Sequence, residues 1–216
     1  MLNLNDVKVK IGAVEAVRGF SMEVPAGAMV GLAGRNGAGK TTVMRAVMGL
    51  AKLAGGRVSF DGEDLSAVDV HRRAALGIGY MPETRGLVPE LTVEENILLP
   101  TWVTPGVDGV ARLRFVYEVM PELKQMGGRK ALLLSGGQQK MAALGRALTI
   151  GTRLLLLDEP FEGVAPALAQ RLSEVISGLK SEQLSIVMSM SELTHSETLM
   201  DRVWGIERGA NMAAHA

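Results

Sequence analysis

The sequence predicts an α/β fold, in which short buried strands alternate with helices. Three observations support this prediction. Residues 29–33, 153–158 and 184–190 are short apolar runs, and a continuous run of this length indicates a strand buried on both faces. Residues 40–49 form a run without an internal helix breaker, and residues 166–180 carry apolar side chains at helical spacing. A glycine-rich segment joins the first strand to the first helix.

The composition indicates a packed protein with balanced charge. The 216 residues are 47% hydrophobic, which favours a globular chain over a disordered one. Lys plus Arg and Asp plus Glu number 23 each, so no overall basic excess points to nucleic acid. Cysteine is absent, which excludes disulfides and thiolate metal sites. The N-terminus lacks a signal-peptide pattern, and no apolar run reaches the roughly 18 residues of a spanning helix. We therefore expect a protein that is soluble or reaches a membrane only through partners.

The first part of the chain is expected to be rich in strands. Residues 2–11 alternate apolar and polar side chains, which predicts a strand, and residues 13–24 predict one or two more, separated at Gly19. Clustered proline and glycine residues predict turns, and an Asp-Gly pair predicts a hairpin. The elements predicted from these residues and the runs between them are turns at 25–27 and 54–56, a strand at 57–60, a hairpin turn at 61–62, a helix at 70–76 and a strand at 77–81.

The middle of the chain is expected to form a helical insert at about residues 92–130. An irregular link, residues 83–91, precedes it. Thr92 and Glu95 have the spacing of a capping box, which predicts the start of a helix. Pro121 is expected to separate the last two helices. The predicted elements of the insert after its first helix are a turn-rich segment at 100–109 and helices at 112–120 and 122–126.

The last part of the chain continues the α/β pattern. Ser135 can cap a helix that runs to about Gly151. The two apolar runs named above follow it, with the helix at 166–180 between them. The remaining predictions are a short helix at 196–201, a strand at 203–206 and a loose tail at 210–216.

The glycine-rich segment fits the phosphate-binding pattern G-x-x-x-x-G-K-[ST], between a predicted strand and a predicted helix. Its glycines permit backbone conformations in which successive N–H groups point at one anion, and the helix start adds a partial positive charge. Lys40 would reach the β- and γ-phosphates, and the Thr41 hydroxyl would bind Mg²⁺. The alternative is a glycine-rich turn with a chance Lys-Thr. The predicted phosphate-binding residues are Gly34, Arg35, Asn36, Gly37, Ala38, Gly39, Lys40, Thr41 and Thr42.

Two carboxylates end the apolar strand at 153–158. Adjacent residues at a strand end point in different directions. Asp158 can therefore face Mg²⁺ at the phosphate loop while Glu159 faces a water in line with the γ-phosphate. The alternative is a strand that ends in an ordinary charged turn, and the phosphate loop elsewhere in the chain argues against it.

A second candidate anion site lies at the start of the helix capped by Ser135. Two glycines follow this serine and leave the N–H groups unobstructed. One chain does not need two such sites for one triphosphate, so this one is expected to serve a nucleotide held by another subunit. The alternative is an ordinary serine-capped helix. The predicted residues of this segment, called the signature below, are Ser135, Gly136, Gly137 and Gln138.

These three segments, in this order and with a helical insert before the signature, resemble the ABC ATPases over residues 2–209. Among them the chain is most similar to the ATP-binding subunits of branched-chain amino-acid importers. The stretches that carry this closer similarity are 80–83, 91–96, 116–121 and 159–166.

The resemblance implies a phosphate-loop NTPase fold of ABC type with an N-terminal antiparallel β subdomain and a helical insert. Residues 1–209 would form the ATPase domain and 210–216 a loose tail. Two ATPase subunits, identical or different, would pair head to tail with ATP between the phosphate loop of one and the signature of the other. Two membrane-spanning permease subunits, and indirectly an external solute-binding protein, would complete the assembly. The chain would lie at the cytoplasmic face of the plasma (inner) membrane, with no role for nucleic acid.

Three positions depart from the usual ABC pattern. Ile11 stands where an aromatic residue normally stacks on adenine, and such stacking is worth about 1–3 kcal/mol. Glu83 replaces the usual glutamine, and its carboxylate can still accept from a metal-bound water. Ser191 stands at the position of the switch histidine. His195 is either a displaced substitute or a surface helix residue.

The favoured hypothesis is an ATP-hydrolysing subunit of an importer for branched-chain amino acids or similar small solutes. Lys40 and the loop amides would bind phosphates, Thr41, Asp158 and Glu83 would organise Mg²⁺, and Glu159 would polarise the attacking water.

One alternative is a regulatory or assembly module that binds ATP with little hydrolysis. Ile11 and Ser191 favour this alternative, and the presence of Glu159 argues against it. Another is an ABC protein acting on DNA or ribosomes, which neutral charge and the lack of a coiled coil oppose. The solute-binding pocket lies on other chains.

Residues 83–99 and the helical insert are together expected to form the docking surface for the membrane subunit. Irregular segments absorb backbone change readily, and this one is more apolar than a solvated loop. The alternative is that its apolar side chains cover the domain's own core. The residues concerned are Leu87, Val88, Leu91 and Val93.

Overall fold

The computed structural model describes residues 1–180, 184–191 and 199–212. The part of the chain so described contains two sheets, seven α-helices and three short 3-10 helices, the last at Leu65–Ala67, Ala74–Leu76 and Ala131–Leu133. The strands are β1 Leu2–Ile11, β2 Val14–Val24, β3 Met29–Ala33, β4 Leu53–Phe60, β5 Glu63–Asp64, β6 Ile78–Met81, β7 Leu154–Leu157, β8 Ser185–Met190, β9 Arg202–Glu207 and β10 Ala210–Asn211. The helices are α1 Lys40–Val47, α2 Val70–Arg73, α3 Val93–Val103, α4 Gly109–Val119, α5 Pro121–Gln125, α6 Gly136–Ile150 and α7 Pro166–Leu179.

The first sheet is antiparallel, with the order β2-β1-β4-β5. β2 is a single strand that passes through Gly19, so the predicted break there is wrong. The predicted turn at 54–56 is also wrong, because β4 begins at Leu53. Gly56 instead marks an irregular pairing with β1, and a Cβ on it would lie 2.1 Å from the carbonyl oxygen of Asp6. A glycine inside a strand commonly marks such a close backbone approach.

The second sheet has the order β10-β9-β3-β8-β7-β6. The five strands from β9 to β6 are parallel, and only the short edge strand β10 is antiparallel. β3 lies between β8 and β9, and β7 lies between β8 and β6. The carboxyl ends of β3, β7 and β8 therefore meet at one edge, which is where ligands bind in open α/β sheets.

Two apolar cores stabilise this sheet, one on each face. One face packs against the first sheet and α1, with Phe20, Met44 and Phe60 fully buried. The other face packs against α6 and α7 and the helices at 93–125, with Leu144 and Leu155 fully buried. The predicted doubly buried strands are confirmed, since every residue of β7 and β8 is buried.

Helices occupy the segment predicted to be an insert, with boundaries that differ from the prediction. α3 begins with the predicted capping box of Thr92 and Glu95. It continues through Pro100 to Val103, so the predicted turn-rich segment starts later than expected. Pro100 has no N–H, so α3 lacks the bond that residue 100 would donate to the Asn96 carbonyl. At the end of the helix, the Thr104 hydroxyl donates to the Pro100 carbonyl at 2.8 Å. Pro121 starts α5 at the first helical position, where proline is favoured.

The link that precedes α3 is held by the fully buried Asn96. Its amide accepts from the Val88 N–H at 2.8 Å and donates to the Val88 carbonyl at 3.0 Å. Val93 is fully buried and Leu87 packs against the core, so the apolar character of the link is partly explained by the chain's own interior. Val88 stays exposed and Leu91 is half-buried. The interpretation of these side chains as a docking surface is therefore wrong for Val93, and Leu87 packs partly against the chain's own core.

The C-terminal residues are more ordered than predicted. Ala210 and Asn211 form β10, and the Asn211 amide bonds the Ser21 N–H at 2.8 Å and the Ser21 carbonyl at 2.7 Å. The predicted loose tail is therefore wrong for these two residues, because the amide ties them to β2. The predicted helix at 196–201 lies mainly outside the described residues. Within the described residues, no helix is long and apolar enough to cross a membrane.

Candidate active site

The phosphate-loop motif lies between β3 and α1, as predicted. Gly37 and Gly39 have φ values of 80° and 113°, in the region that favours glycine. Gly34 has ordinary φ, but a Cβ there would lie 2.3 Å from the Ile206 carbonyl oxygen. Gly39 immediately precedes α1, so the first free N–H groups of that helix open toward the loop.

Lys40 is buried at the start of α1, and its ammonium spans the loop. Nζ donates to the Gly34 carbonyl at 2.6 Å and to the Arg35 carbonyl at 3.2 Å. It also pairs with Oε1 of Glu159 at 3.0 Å, and both side chains are buried. The loop, the lysine and the glutamate therefore form one connected unit within a single chain.

Asp158 is fully buried at the end of β7, where three hydroxyls surround its carboxylate. Oδ1 accepts from Ser189 Oγ at 2.7 Å and from Thr41 Oγ1 at 3.2 Å. Oδ2 accepts from the Tyr80 hydroxyl at 3.3 Å. Burial, and next the Asp158 carboxylate, raise the pKa of Tyr80 well above its usual range, so Tyr80 stays a neutral donor. The predicted pair of Thr41 and Asp158 is thus brought together.

Glu159 follows with a φ of 48°, a conformation that costs a non-glycine residue on the order of 1–3 kcal/mol. Its N–H donates to Ser189 Oγ at 2.9 Å. Its carboxylate contacts other groups than that of Asp158: Oε1 pairs with Lys40, and Oε2 accepts from the Ser191 N–H at 3.2 Å. Ser191, at the position of the switch histidine, therefore contacts the glutamate. His195 lies outside the described residues.

A cavity of about 550 Å³ opens over the phosphate loop. Glu83 and Glu159 line it together with the loop, so these predicted residues share one space. Ile11 is not in its lining, but its cross-strand partner Val14 is, and both are exposed. The lining residues of the cavity are Val14, Glu15, Ala16, Arg18, Asn36, Gly37, Gly39, Lys40, Thr41, Thr42, Glu83, Glu159, Glu162 and Arg208.

A second cavity of about 620 Å³ adjoins the first and is lined mostly by apolar side chains. It runs from Asp158 and Thr41 outward to Leu50, Leu99 and Val103, between α1, β6, α3 and α6. Glu83 lines both cavities. The start of the link at Glu83 therefore borders both the phosphate end of the site and an open apolar groove.

The carboxylates and hydroxyls fit a magnesium ion that is bound mainly by its nucleotide. No cluster of three or more acidic, histidine or cysteine side chains that could hold a metal occurs in the described ranges. Mg²⁺ in nucleotide sites takes one or two protein oxygens and completes its shell with phosphates and waters. Thr41 Oγ1 and Asp158 Oδ1 are 3.2 Å apart and supply such a pair, and Glu83 lies on the same cavity.

The signature is not part of this cavity. Ser135 caps α6 in a reciprocal capping box, in which Gln138 donates its N–H to Ser135 Oγ and accepts from the Ser135 N–H at 3.0 Å. Ser135 and Gly136 are exposed. Gly137 packs against α7, where a Cβ would lie 2.3 Å from Leu168 Cδ2. The chain does not bring the signature to its own phosphate loop, and its service to a second chain stays a prediction.

Sequence reasoning missed Ser189 and Tyr80. Both are polar residues inside predicted strands, and neither was assigned a role in the site. The available signal was their position near the carboxyl ends of β6 and β8, which flank the strand that ends at Asp158. Polar side chains at that edge of a parallel sheet are candidates for a site.

Comparisons with known proteins agree with this geometry. A family model described as ABC transporter matches residues 17–162. The high-affinity branched-chain amino acid transport ATP-binding protein BraG of Pseudomonas aeruginosa is 34% identical over 209 residues, which are 97% of this chain and 90% of BraG. The lipopolysaccharide export system ATP-binding protein LptB of Haemophilus influenzae is 31% identical over 201 residues, 92% of this chain and 83% of LptB. The solved ADP conformation of MJ1267, an ATP-binding cassette of an ABC transporter, is 26% identical with a TM-score of 0.82, covering 99% of this chain and 89% of MJ1267.

Proposed function

The chain belongs to the ABC transporter family as an ATP-hydrolysing subunit, and we propose that it energises a membrane importer for branched-chain amino acids or similar small solutes. The observation that carries the proposal is the shared position of Glu83, which lines both the cavity over the phosphate loop and the neighbouring apolar groove. A change at the phosphates can thereby reach a surface suited to a membrane partner.

ATP would lie along the cavity over the phosphate loop. The loop N–H groups and the start of α1 would hold the phosphates, and Lys40 would turn from the Gly34 and Arg35 carbonyls to the β- and γ-phosphates. Most of the rate enhancement in such sites comes from position and charge neutralisation. Lys40 also contacts Glu159, so phosphate binding would release the glutamate from its ion pair.

The metal expected here is Mg²⁺. Thr41 and Asp158 would hold it directly, and Glu83 would accept a hydrogen bond from a metal-bound water. The ion would neutralise charge on the phosphate oxygens. Ser189 and Tyr80 keep the Asp158 carboxylate in place through their hydroxyls.

Glu159 is proposed to polarise the water that attacks the γ-phosphorus. Once it is free of Lys40, its carboxylate remains tethered by the Ser191 N–H. Ser191 cannot supply the cationic donor that an imidazole would place near the γ-phosphate. We therefore expect slow turnover in the isolated chain and stimulation by partners.

A second ATPase subunit, identical or different, would complete each site. Its signature would contact the γ-phosphate held by this chain, while Ser135 here would serve the partner's nucleotide. The exposure of Ser135 and Gly136, on a helix end that no residue of their own phosphate loop covers, supports this pairing. ATP would thus lie between the two chains.

The apolar groove is proposed to receive a short cytoplasmic helix of a permease subunit. Leu50 and Val103 are exposed at its mouth, and Val103 is 77% exposed. The groove lining carries two arginines, Arg45 and Arg146, and two acidic residues, Glu83 and Asp158, so its charges balance and apolar contact is expected to dominate docking. The chain would then sit at the cytoplasmic face of the inner membrane without crossing it, beside two permease subunits that receive solute from an external binding protein.

Import and export are separated by experiment. The similarity to BraG supports amino-acid import, and the similarity to LptB supports an exporter as the second candidate. The chain is expressed with permease subunits and a solute-binding protein of the branched-chain import type, in cells that lack their own branched-chain importer. Uptake of radiolabelled leucine that depends on the external binding protein and is lost in Glu159→Gln supports the proposal. Leucine uptake no higher than in the importer-deficient cells, from a complex that still hydrolyses ATP, would reject import of this solute.

Docking is tested by cysteine cross-linking in this cysteine-free chain. Val103→Cys lies at the groove and Val88→Cys on the exposed part of the link, and Val110→Cys, 71% exposed on α4 and outside the groove lining, is the matched control. Cross-links from Val103→Cys to permease loops, and none from Val110→Cys, are expected. Absence of a cross-link at both Val103→Cys and Val88→Cys in every nucleotide state would reject the placement.

A further inference from the structure

The buried ammonium of Lys140 is not explained by phosphate binding or by the signature itself. Lys140 lies in the second turn of α6, and its side chain is only 3% exposed. It is absent from the linings of both cavities described above. Taking a charged amine out of water is costly unless polar groups surround it. Burial accordingly lowers the pKa of Lys140.

The partners of this ammonium are main-chain oxygens of the turn that follows β7. Nζ donates to the Glu159 carbonyl at 2.7 Å and to the Glu162 carbonyl. The Glu162 N–H also donates to the Glu159 carbonyl, at 3.2 Å. Lys140 therefore closes the turn 159–162 from the side of α6.

The main chain at Glu159 is consequently fixed on both sides. Ser189 holds its N–H at 2.9 Å, and Lys140 holds its carbonyl at 2.7 Å. The φ of 48° at this residue is one that a side-chain-bearing residue adopts only when its surroundings enforce it. A small rotation of either peptide group would swing the carboxylate across the cavity.

We infer that Lys140 is a positioning residue for Glu159: its ammonium, reaching from the helix that begins at Ser135, sets the direction of the carboxylate that polarises water. The inference rests on the proposed role of Glu159. It predicts that loss of the ammonium slows hydrolysis of bound ATP and leaves the phosphate loop, and so ATP affinity, intact. An ammonium that only stabilised the fold would not separate these two quantities.

The test uses Lys140→Met, which keeps the length and volume of the side chain and removes its donors. Arg112→Met is the matched control. Arg112 is another cation whose guanidinium donates to main-chain carbonyls, here those of Leu148 and Thr149 in the last turn of α6, and it lines neither cavity. Lys140→Gln keeps an N–H donor without the charge. ATP affinity is measured by titration, and hydrolysis by single turnover with the full chain in excess over ATP.

The expected result for Lys140→Met is single-turnover hydrolysis slowed by about tenfold or more, as small misplacements of reacting groups can cause, with ATP affinity within about twofold of the parent. Lys140→Gln should retain more activity than Lys140→Met. Arg112→Met should lower the melting temperature without changing either quantity at a temperature where it is folded.

Hydrogen exchange of the full chain supplies a readout that does not depend on activity. In Lys140→Met the amides of the turn that follows Glu159 should exchange faster, while those of the phosphate loop should not. Equal exchange in that turn for Lys140→Met and the parent would overturn the inference, as would equal hydrolysis rates. Glu159→Gln is run in parallel: if it hydrolyses ATP like the parent, the proposed role of Glu159 fails, whereas its loss of activity beside an active Lys140→Met refutes the Lys140 inference alone.

Discussion

The phosphate loop and the signature are two glycine-rich helix starts in one chain, and they differ in what surrounds them. At the phosphate loop, Lys40 and Glu159 are buried and form an ion pair, and Lys40 also donates to two loop carbonyls. At the signature, Ser135 and Gly136 are exposed, and the polar partners of Ser135 lie within its own capping box. The first site is assembled by the fold of one chain. The second is exposed at a helix start, and we propose that its N–H groups serve a second chain.

The largest expected effect is at the buried site. Lys40→Ala should weaken ATP binding by roughly 10- to 100-fold, because a hydrogen bond to a charged group contributes about 1.5–3 kcal/mol. It also leaves the Glu159 carboxylate buried without its cation. Isothermal titration with ATP measures the loss. Lys52→Ala, an exposed lysine beyond α1, is the control, and equal affinities for the two variants would contradict the assignment of the loop.

The exposed site should behave in the opposite way. Ser135→Arg should leave ATP binding by its own chain within about twofold while lowering hydrolysis about tenfold or more, since the bulky cation blocks the nucleotide of the partner chain. Mixed dimers sharpen the test. Ser135→Arg on one chain and Lys40→Ala on the other should disable one composite site and spare the second. Full activity from a strict monomer, established by sedimentation, would refute the shared site.

Much of both helix starts could be predicted from the sequence, because spacing alone determines them. The loop pattern predicts Lys40 at the start of α1, and Ser135 with Gln138 is a capping box readable from two residues. The strands β7 and β8 were also predictable from their continuous apolar runs.

The contacts between distant segments could not be predicted in this way. Lys140 meets the turn after β7 only because α6 and β7 pack together. α3 continues through Pro100, although this residue has no N–H to donate, and its Ile97 is fully buried in the core. The same limit explains the wrong turn at 54–56. Glycine is required at position 56 because the neighbouring strand β1 comes too close for a side chain, and this contact cannot be predicted from the local sequence. In each case the local structure depends on residues that are distant in the sequence and close in the fold.

A smaller effect is expected from Ser189→Ala, because Ser189 contacts both carboxylate-bearing residues of the buried site. Its hydroxyl donates to Asp158 and accepts from the Glu159 N–H. Ser189→Ala leaves a buried N–H unpaired and should cost about 1–3 kcal/mol of unfolding free energy, together with a several-fold loss of hydrolysis. Ser185→Ala is a close control, since Ser185 is equally buried in β8 and also bonds two main-chain groups, Gly27 and Pro25, at the opposite end of the strand.

Denaturant unfolding and single-turnover hydrolysis together decide the case. Both variants should lose stability, but only Ser189→Ala should lose activity. If Ser185→Ala lost as much activity, general stability rather than the position of the carboxylates would limit hydrolysis. That outcome would contradict a role of Ser189 in positioning Asp158 and Glu159.

The smallest expected effect lies at the edge of the phosphate cavity, where the nucleoside would extend past β1 and β2. Ile11 is 58% exposed and pairs directly across the hairpin with Val14, which lines the cavity, so both side chains are on the same face. An aromatic ring here could stack on adenine, and at an exposed edge the low end of the stacking range applies, about 1 kcal/mol or roughly fivefold in affinity. Ile11→Tyr should therefore strengthen ATP and ADP binding equally, since stacking does not involve the γ-phosphate.

Two controls isolate stacking on the base. Pyrophosphate, which has no base, should bind Ile11→Tyr and the parent alike. Ile11→Val should not change the affinity of any of the three ligands. A gain for pyrophosphate as large as that for ATP would show that the tyrosine acts on the loop rather than on the base.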